Sequence, residues 1–275
     1  TEELARARAA VREAGAIAMR HFRQPHESWE KAPGQLVTEA DLAVDRFLRR
    51  ALCQGDAAWL SEEAEDDPVR LSSRRVWVVD PIDGTQSFTS GVAEFAISVA
   101  LVEDGRPLLG LIHNPATDEL FEAVRGQGAA RNGAPMRATG TASLAQAHIV
   151  AGRFESRRRD FKALIPTAVL SSLGSIAYKL ALVAAGRYDG YFSWRRTNDW
   201  DIAAAILLLV ESGAEITDAA GSTLRLNQPQ PVHSGILAAT AALHPQLLAA
   251  TAAASQPTAP TVSHAACTAT AMARS

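Results

Sequence analysis

Cysteine is scarce in this chain of 275 residues, which contains only Cys53 and Cys267. Two cysteines so distant in sequence do not form the disulfide framework that is typical of small secreted domains. The cysteine content therefore predicts a reducing, cytoplasmic setting. Neither cysteine belongs to a cluster of the kind that binds metal ions.

A strong net charge and long apolar runs are also missing. The formal net charge is -3, so no basic surface is predicted, and neither a nucleic acid polymer nor a membrane surface is an expected partner. The longest strongly apolar run, residues 203–210, is too short to cross a bilayer. The first 22 residues carry scattered charges and are typical of an amphipathic helix, not of a signal peptide.

The remaining composition is that of a globular protein. Apolar residues make up 47% of the chain, which is enough to bury a sizeable core. The order of strand and helix patterns predicts an α+β or layered α/β architecture with two sub-domains. We expect the first sub-domain at residues 1–140, the second at 141–252, and a disordered tail rich in alanine, threonine and serine at 253–275.

Apolar periodicity predicts the individual elements. Helices are expected at 2–22, 38–53, 157–166, 175–186 and 200–213, and a loop at 23–35. Strands are expected at 76–79, 95–102, 107–113, 120–124, 147–151, 188–193, 215–217 and 234–239. Turn residues at 103–105 and 131–133 indicate two hairpins.

The clearest chemical signal is the segment DPIDGT at residues 80–85. Asp80 and Asp83 follow an apolar strand, where buried negative charge is costly unless a cation compensates it. Mg²⁺ prefers such hard oxygen ligands, and a helix beginning at Gly84 and Thr85 would present amide groups to a phosphate. The same segment is also typical of a simple turn, because Asp-Pro and Asp-Gly are common turn dipeptides.

Three further acids lie in separate segments. Glu62 precedes Asp80 by eighteen residues, a distance that a loop and a strand can return across, although its acidic surroundings are also typical of a solvated loop. Asp201 and Asp41 both lie near predicted helix starts, where a capping role alone would explain them. Asp41 and Thr85 could instead form a carboxylate–hydroxyl pair that activates a water molecule.

Together these segments resemble the inositol monophosphatase superfamily over roughly residues 30–240. Motifs at 36–41, 80–85 and 200–204 occur in the family's order, and residues 126–133, 174–175 and 211–213 resemble further family segments. The resemblance implies a layered α-β-α-β-α sandwich of the inositol monophosphatase/fructose-bisphosphatase type. It also implies a phosphatase that uses two or three Mg²⁺ ions, is sensitive to lithium and commonly forms a homodimer.

The resemblance also implies roles for individual residues. The family's metal carboxylates match Glu62, Asp80, Asp83 and Asp201, and a further metal ligand matches the backbone carbonyl of Ile82. Gly84 and Thr85 match the phosphate-binding turn. Asp41, Thr85 and Glu62 match the residues that take part in catalysis, with Asp41 and Thr85 orienting the attacking water.

The substrate is a small phosphate ester, and the sequence slightly favours 3'-phosphoadenosine 5'-phosphate, which a 3'(2'),5'-bisphosphate nucleotidase converts to AMP. Trp194 replaces a glutamate that inositol phosphatases usually have, and together with Arg195 and Arg196 it could stack on a base or bind a second phosphate. Lys179 and the Thr197-Asn198 pair also resemble the nucleotidase branch.

Several alternatives stay open. Residues 36–38 and 86–88 favour an enzyme acting on inositol 1-phosphate or on a related sugar, polyol or histidinol phosphate. In that case Trp194 belongs to the core, and Arg195 and Arg196 to a solvated turn. A catalytically inactive homologue that binds metal or phosphate as a regulator is another class, but retention of the whole set of acids argues against it.

Overall fold

The computed structural model describes residues 2–24, 28–32, 35–153 and 165–252. The helices of this part are α1 (Glu2–His21), α2 (Glu39–Leu52), α3 (Thr85–Thr89), α4 (Ile176–Ala184), α5 (Asp199–Ser212) and α6 (His244–Ala252). Short 3₁₀ turns lie at Pro68–Ser72 and Leu144–Gln146. Within these described ranges, no helix is long and apolar enough to span a membrane.

The strands of the described residues form three sheets. A hairpin joins β1 (Ser28–Ala32) and β2 (Gln35–Thr38). The larger sheet has the order β3 (Ala58–Ser61), β4 (Arg75–Asp83), β5 (Ala96–Glu103), β6 (Arg106–Asn114), β7 (Glu119–Val124), β8 (Ala129–Arg131) and β9 (Ala134–Met136). The second has the order β11 (Val169–Ser172), β10 (His148–Ala151), β12 (Gly190–Asn198), β14 (Val232–Thr240) and β13 (Ala214–Asp218).

Side chains of the seven-stranded sheet point alternately to its two faces and contribute to a separate apolar cluster on each face. Trp77 and Val79 of β4 point into the cluster that α1 and α2 cover. Val76 and Val78 point to the opposite face, where they pack in the cluster formed by α4 and α5. Both faces of the sheet are therefore covered by helices, and its strands read as nearly continuous apolar runs.

Helices α4 and α5 form the central layer between the two large sheets. Their side chains pack with Val150, Tyr191 and Ile236 of the five-stranded sheet as well as with the seven-stranded sheet. The outer face of the five-stranded sheet, which includes Phe192 and Leu237, packs against α6. The chain thus forms the α-β-α-β-α sandwich that the resemblance implied.

Some sequence predictions need correction. The segment predicted as a loop at 23–35 contains β1 and the start of β2. Strand β4 does not end at Asp80 but continues through Pro81 to Asp83, and its pairing with β5 loses regular register there. Residues 154–164, which include most of one predicted helix, and the predicted tail lie outside the described residues.

Candidate active site

The end of strand β4 places two carboxylates next to a tight turn. Asp80 and Asp83 are 1% and 7% exposed. Gly84 follows with a φ of 91°, a left-handed conformation that favours glycine. A Cβ atom at Gly84 would also lie only 2.9 Å from the carbonyl oxygen of Glu94 and 3.0 Å from the amide nitrogen of Ser175. The turn into α3 therefore requires glycine for its space as well as its conformation.

Asp201 completes a compact cluster of acids. Ligand oxygens of Asp80, Asp83 and Asp201 all lie within 4.8 Å of one another. Asp80 and Asp83 come from the seven-stranded sheet, whereas Asp201 is in the first turn of α5, directly after β12 of the other sheet. The cluster therefore combines acids from the end of a strand in one large sheet and from a helix of the central layer that follows a strand of the other.

One oxygen of Asp80 is without a hydrogen-bond donor. Its Oδ1 accepts a bond of 3.1 Å from the amide of Ile82. Its Oδ2 is buried and has no hydrogen-bond partner among the described residues. A buried carboxylate oxygen without a donor, on a residue clustered with two other acids, is unfavourable unless a cation is bound. The all-oxygen donor set fits a hard divalent cation such as Mg²⁺.

The pKa values of the cluster also indicate that its negative charges are unfavourable in the absence of a cation. Burial raises the pKa of Asp80 well above its usual value, and the charges of Glu62, Asp83 and Asp201 raise it further. Burial also raises the pKa of Asp201, again with contributions from the neighbouring acids. The protein alone therefore stabilises the ionised cluster poorly, and a bound cation would compensate its charge.

Glu62 faces this cluster from the loop that follows β3. Its amide donates a bond of 3.2 Å to the carbonyl oxygen of Val79, which fixes the start of the loop on β4. Its charge raises the pKa values of Asp80 and Asp201. The carboxylate is not a member of the 4.8 Å cluster. Of the four predicted metal carboxylates, three are thus assembled directly and Glu62 lies nearby.

Asp41 and Asp201 occupy equivalent positions in two capping boxes. Asp41 Oδ2 accepts bonds from the amide (2.8 Å) and hydroxyl (2.5 Å) of Thr38, the N-cap of α2. Asp201 Oδ2 accepts a bond of 2.8 Å from the amide of Asn198, the N-cap of α5. The sequence placed both acids near helix starts; the structure makes each the third helical residue and not the cap itself.

Asp41 also lies close to the phosphate-binding turn. Its Oδ1 is 3.4 Å from the hydroxyl oxygen of Thr85, and that hydroxyl donates to the carbonyl oxygen of Ile82 at 3.0 Å. Burial raises the pKa of Asp41 to about 7, with further contributions from Glu63 and Glu62. The predicted Asp41–Thr85 pair and the Ile82 carbonyl are therefore adjacent in space.

Sequence reasoning missed the role of Ser175. This residue is the N-cap of α4 and has a φ of 47°. Its hydroxyl donates a bond of 2.6 Å to Asp83 Oδ2, which also accepts a 2.6 Å bond from the amide of Ala177. A serine before an apolar helix is a typical N-cap signal, but the sequence does not reveal that the cap also orients an acid of the site.

Lys179 is buried and not presented on the surface. Its side chain is 3% exposed, and the ammonium donates to the carbonyl oxygen of Leu173 at 3.2 Å. The ammonium also lies 5.4 Å from the centroid of the Tyr191 ring. Burial raises the pKa of Asp83, whereas the positive charge of Lys179 lowers it.

The other predicted substrate contacts lie along β12. Trp194 packs edge-on against Phe192, with ring centroids 4.5 Å apart. Arg195 and Arg196 are exposed near the end of this strand, shortly before α5 begins. The tryptophan is thus partly integrated into the core between β12 and α6, whereas the two arginines face solvent.

Comparison with known proteins agrees with this architecture. A family model described as the inositol monophosphatase family matches residues 1–256. An inositol-1-monophosphatase of Rhizobium meliloti is 38% identical over 201 residues, which cover 70% of this chain and 75% of that protein. A fructose-1,6-bisphosphatase/inositol-1-monophosphatase of Thermotoga maritima is 34% identical, over 77% of this chain and 82% of the relative.

Solved structures show the same fold. The extragenic suppressor protein suhB of Bartonella henselae superposes with a TM-score of 0.82 and 28% identity, covering 91% of this chain and 98% of that one. By its sequence match and its architecture, the chain belongs to the inositol monophosphatase family.

Proposed function

We propose that this protein is a magnesium-dependent phosphatase that hydrolyses a small phosphate monoester with water as the nucleophile. The observation that carries the proposal is the cluster of Asp80, Asp83 and Asp201, together with a buried oxygen of Asp80 that has no donor among the described residues. When bound, Mg²⁺ supplies positive charge that offsets the negative charge of the phosphate and of the leaving oxygen.

The protein's own groups divide the remaining tasks. Asp80, Asp83, Asp201 and Glu62 hold the metal, and the carbonyl oxygen of Ile82 is proposed as a further ligand. Gly84 and Thr85 open α3, whose first amides have no acceptor within the helix and can bind phosphate oxygens.

Asp41 and Thr85 orient the attacking water. Asp41 Oδ2 is held by Thr38, so Oδ1 remains directed toward the Thr85 hydroxyl. A carboxyl group with a pKa of about 7 can accept a proton near neutral pH. Asp41 therefore positions the attacking water and accepts its proton.

Inositol 1-phosphate or a related polyol phosphate is the substrate that we favour. The relatives at 38% and 34% identity are named for inositol-1-monophosphatase activity. The packing of Trp194 on Phe192 and the burial of Lys179 leave these side chains little freedom to contact a nucleotide. We therefore place the polyol ester before the nucleotide that the sequence slightly favoured.

A bisphosphate nucleotidase is the second candidate. Arg195 and Arg196 are exposed on the strand that leads directly into α5 and Asp201. Two guanidinium groups so close to the proposed metal site could bind a second phosphate, which inositol 1-phosphate does not have. This observation alone favours 3'-phosphoadenosine 5'-phosphate.

The test is phosphate release by the purified chain in Mg²⁺, with inositol 1-phosphate and 3'-phosphoadenosine 5'-phosphate at equal concentrations. We expect preference for the polyol ester, and inhibition by lithium. Asp83→Asn should lower kcat by more than about 100-fold, since even residues that only support metal ligands contribute about 10- to 100-fold. Asp118→Asn, which removes a surface carboxylate, should leave turnover unchanged.

A double variant separates the two substrates. Replacement of Arg195 and Arg196 by alanine should raise the KM for the nucleotide and leave the KM for inositol 1-phosphate unchanged. Strong preference of the wild-type protein for the nucleotide would refute the polyol assignment. Full activity of Asp83→Asn without Mg²⁺ would refute the metal mechanism as well.

A further inference from the structure

A buried arginine fixes the loop that follows Glu62. Arg70 lies in the 3₁₀ turn Pro68–Ser72 and is 1% exposed, although arginine is rarely so buried unless it is paired. Its Nε donates to Asp66 Oδ1 at 2.5 Å and its Nη2 to Asp66 Oδ2 at 2.9 Å. This bidentate ion pair closes the segment from Asp66 to Arg70, which begins four residues after Glu62.

The same guanidinium reaches a segment far away in sequence. Its Nη1 donates to the Asn227 side-chain oxygen at 2.8 Å and to the Gln228 carbonyl oxygen at 3.1 Å. Asn227 Nδ2 returns a bond of 3.0 Å to the Arg70 carbonyl oxygen. The pair is therefore reciprocal, and it joins residues that are 157 positions apart.

Asn227 also contacts the first turn of α5. Its amide donates a bond of 2.7 Å to Asp199 Oδ2. Asp199 is fully buried, and its other carboxylate oxygen lies 2.7 Å from His233 Nε2 on β14. Asp199 is the first residue of α5 and precedes Asp201 by two positions. A continuous path thus links the Glu62 loop to the helix turn that carries Asp201.

We propose that Arg70 and Asn227 are positioning residues that set the place of Glu62 relative to Asp201 and thereby the affinity of the site for its divalent cation. The inference rests on the proposed function, because it requires that these acids bind the cation. Asp201 is already held by its capping box, whereas Glu62 lies outside the 4.8 Å cluster on a loop. The Val79 bond fixes the start of that loop, and the Arg70 network fixes the segment that follows it. Both anchors therefore act on the position of the fourth carboxylate.

The chain offers a selective variant at Asn227. This residue has a φ of 57°, a conformation that glycine adopts without strain. Asn227→Gly therefore retains the amide that donates to Asp199 and removes both side-chain bonds to Arg70. Arg70→Lys is a second variant, which keeps the positive charge but loses the bidentate pair with Asp66.

The matched control is Arg8→Lys. Arg8 makes a bidentate ion pair with Glu122 at 2.8 and 2.9 Å, between α1 and β7, and neither residue belongs to the proposed site. All proteins are titrated with Mg²⁺ by calorimetry, and kcat and KM are measured across Mg²⁺ concentrations. We expect Asn227→Gly and Arg70→Lys to weaken Mg²⁺ binding by about tenfold, the range typical of residues that orient metal ligands.

The readouts distinguish positioning from general stability. At saturating Mg²⁺, kcat and the substrate KM of both variants should return close to wild-type values, and Arg8→Lys should bind Mg²⁺ normally. A lower Tm with unchanged Mg²⁺ affinity in Asn227→Gly would overturn the inference and leave the proposed function intact. A wild-type protein that binds no Mg²⁺ would overturn both.

Discussion

At the scale of single residues, Asp80 is expected to destabilise the metal-free fold while providing a ligand for the proposed metal ion. Its Oδ2 is buried without a donor among the described residues, and four neighbouring acids raise its pKa further. Asp80→Asn should therefore raise the stability of the metal-free protein by about 1–2 kcal/mol, while Mg²⁺ binding and turnover are lost. Thermal unfolding in EDTA, together with calorimetric titration of Mg²⁺, measures both effects.

The control for this prediction is again the surface variant Asp118→Asn. It removes the same charge from an exposed turn, so it should change neither the Tm in EDTA nor Mg²⁺ affinity. If Asp80→Asn lowers the Tm in EDTA, the oxygen is satisfied in the free protein and the electrostatic conflict described above is absent.

The raised carboxyl pKa values also predict how pH acts. Burial raises the pKa of Asp41 to about 7 from an ordinary value of 3.8, and those of Asp80 and Asp201 are raised too. Because folded Asp41 holds its proton more tightly than the unfolded chain does, its contribution to stability is full below about pH 4 and is lost as pH rises through 7. Asp80 and Asp201 act in the same direction. For Asp41 alone, the difference between the folded and the ordinary pKa corresponds to about 4 kcal/mol of folding free energy.

A bound cation should remove most of this loss. The increase in Tm caused by Mg²⁺ is thus expected to be larger at pH 8 than at pH 5, which differential scanning fluorimetry with Mg²⁺ or EDTA can measure. An equal increase at both pH values would mean that the cluster is not the site of binding.

At the scale of elements, the close contact between β6 and α5 determines where Asp201 lies. A Cβ atom at Gly110 of β6 would come within 2.7 Å of the carbonyl oxygen of Ala204 in α5. Gly110→Ala should therefore displace the helix and destabilise the protein by about 1–3 kcal/mol, the usual cost of overpacking. Urea unfolding measures this cost.

A second glycine provides the comparison. Gly140 has no neighbour within 4 Å of its Cβ position and no positive φ, so Gly140→Ala should be neutral or slightly stabilising. Equal destabilisation by both substitutions would contradict the explanation by the contact with α5, because Gly140 has no such neighbour.

The elements that the sequence predicted well share strong local signals. The apolar runs of β5 and β6 with the Asp104-Gly105 turn, and the amphipathic face of α2, determine their structure locally. In contrast, β1 has the polar sequence SWEKA, and β8 and β9 are only three residues long. Such strands form because a partner pairs with them, and that information is not local.

In the candidate site too, some features could be predicted from local sequence and others depend on tertiary packing. The motif at 80–85 could be recognised because its two acids are only three positions apart, and Asp201 because it lies in the first turn of an apolar helix. The bond from Ser175 to Asp83 could not, since it depends on how α4 packs beside β4. The burial of Lys179 was likewise invisible, because only the central layer removes that side chain from solvent.

At the scale of the whole molecule, the proposed metal joins the two large sheets. Asp80 and Asp83 end a strand of the seven-stranded sheet, and Asp201 follows a strand of the five-stranded sheet. Mg²⁺ should therefore slow hydrogen exchange at the end of β4 and in the first turn of α5 together, with little effect on α6. Exchange measured by mass spectrometry would contradict the proposal if only one of these two segments were protected.

The two capping boxes couple the local unfolding of a helix start to the activity of the protein. In Asp41 and in Asp201, one carboxylate oxygen closes the first turn of a helix, and the same carboxylate is proposed to act in the site. On that proposal, fraying of either helix start also removes an acid of the site and abolishes catalysis. Activity should then report directly whether the first turns of α2 and α5 are intact.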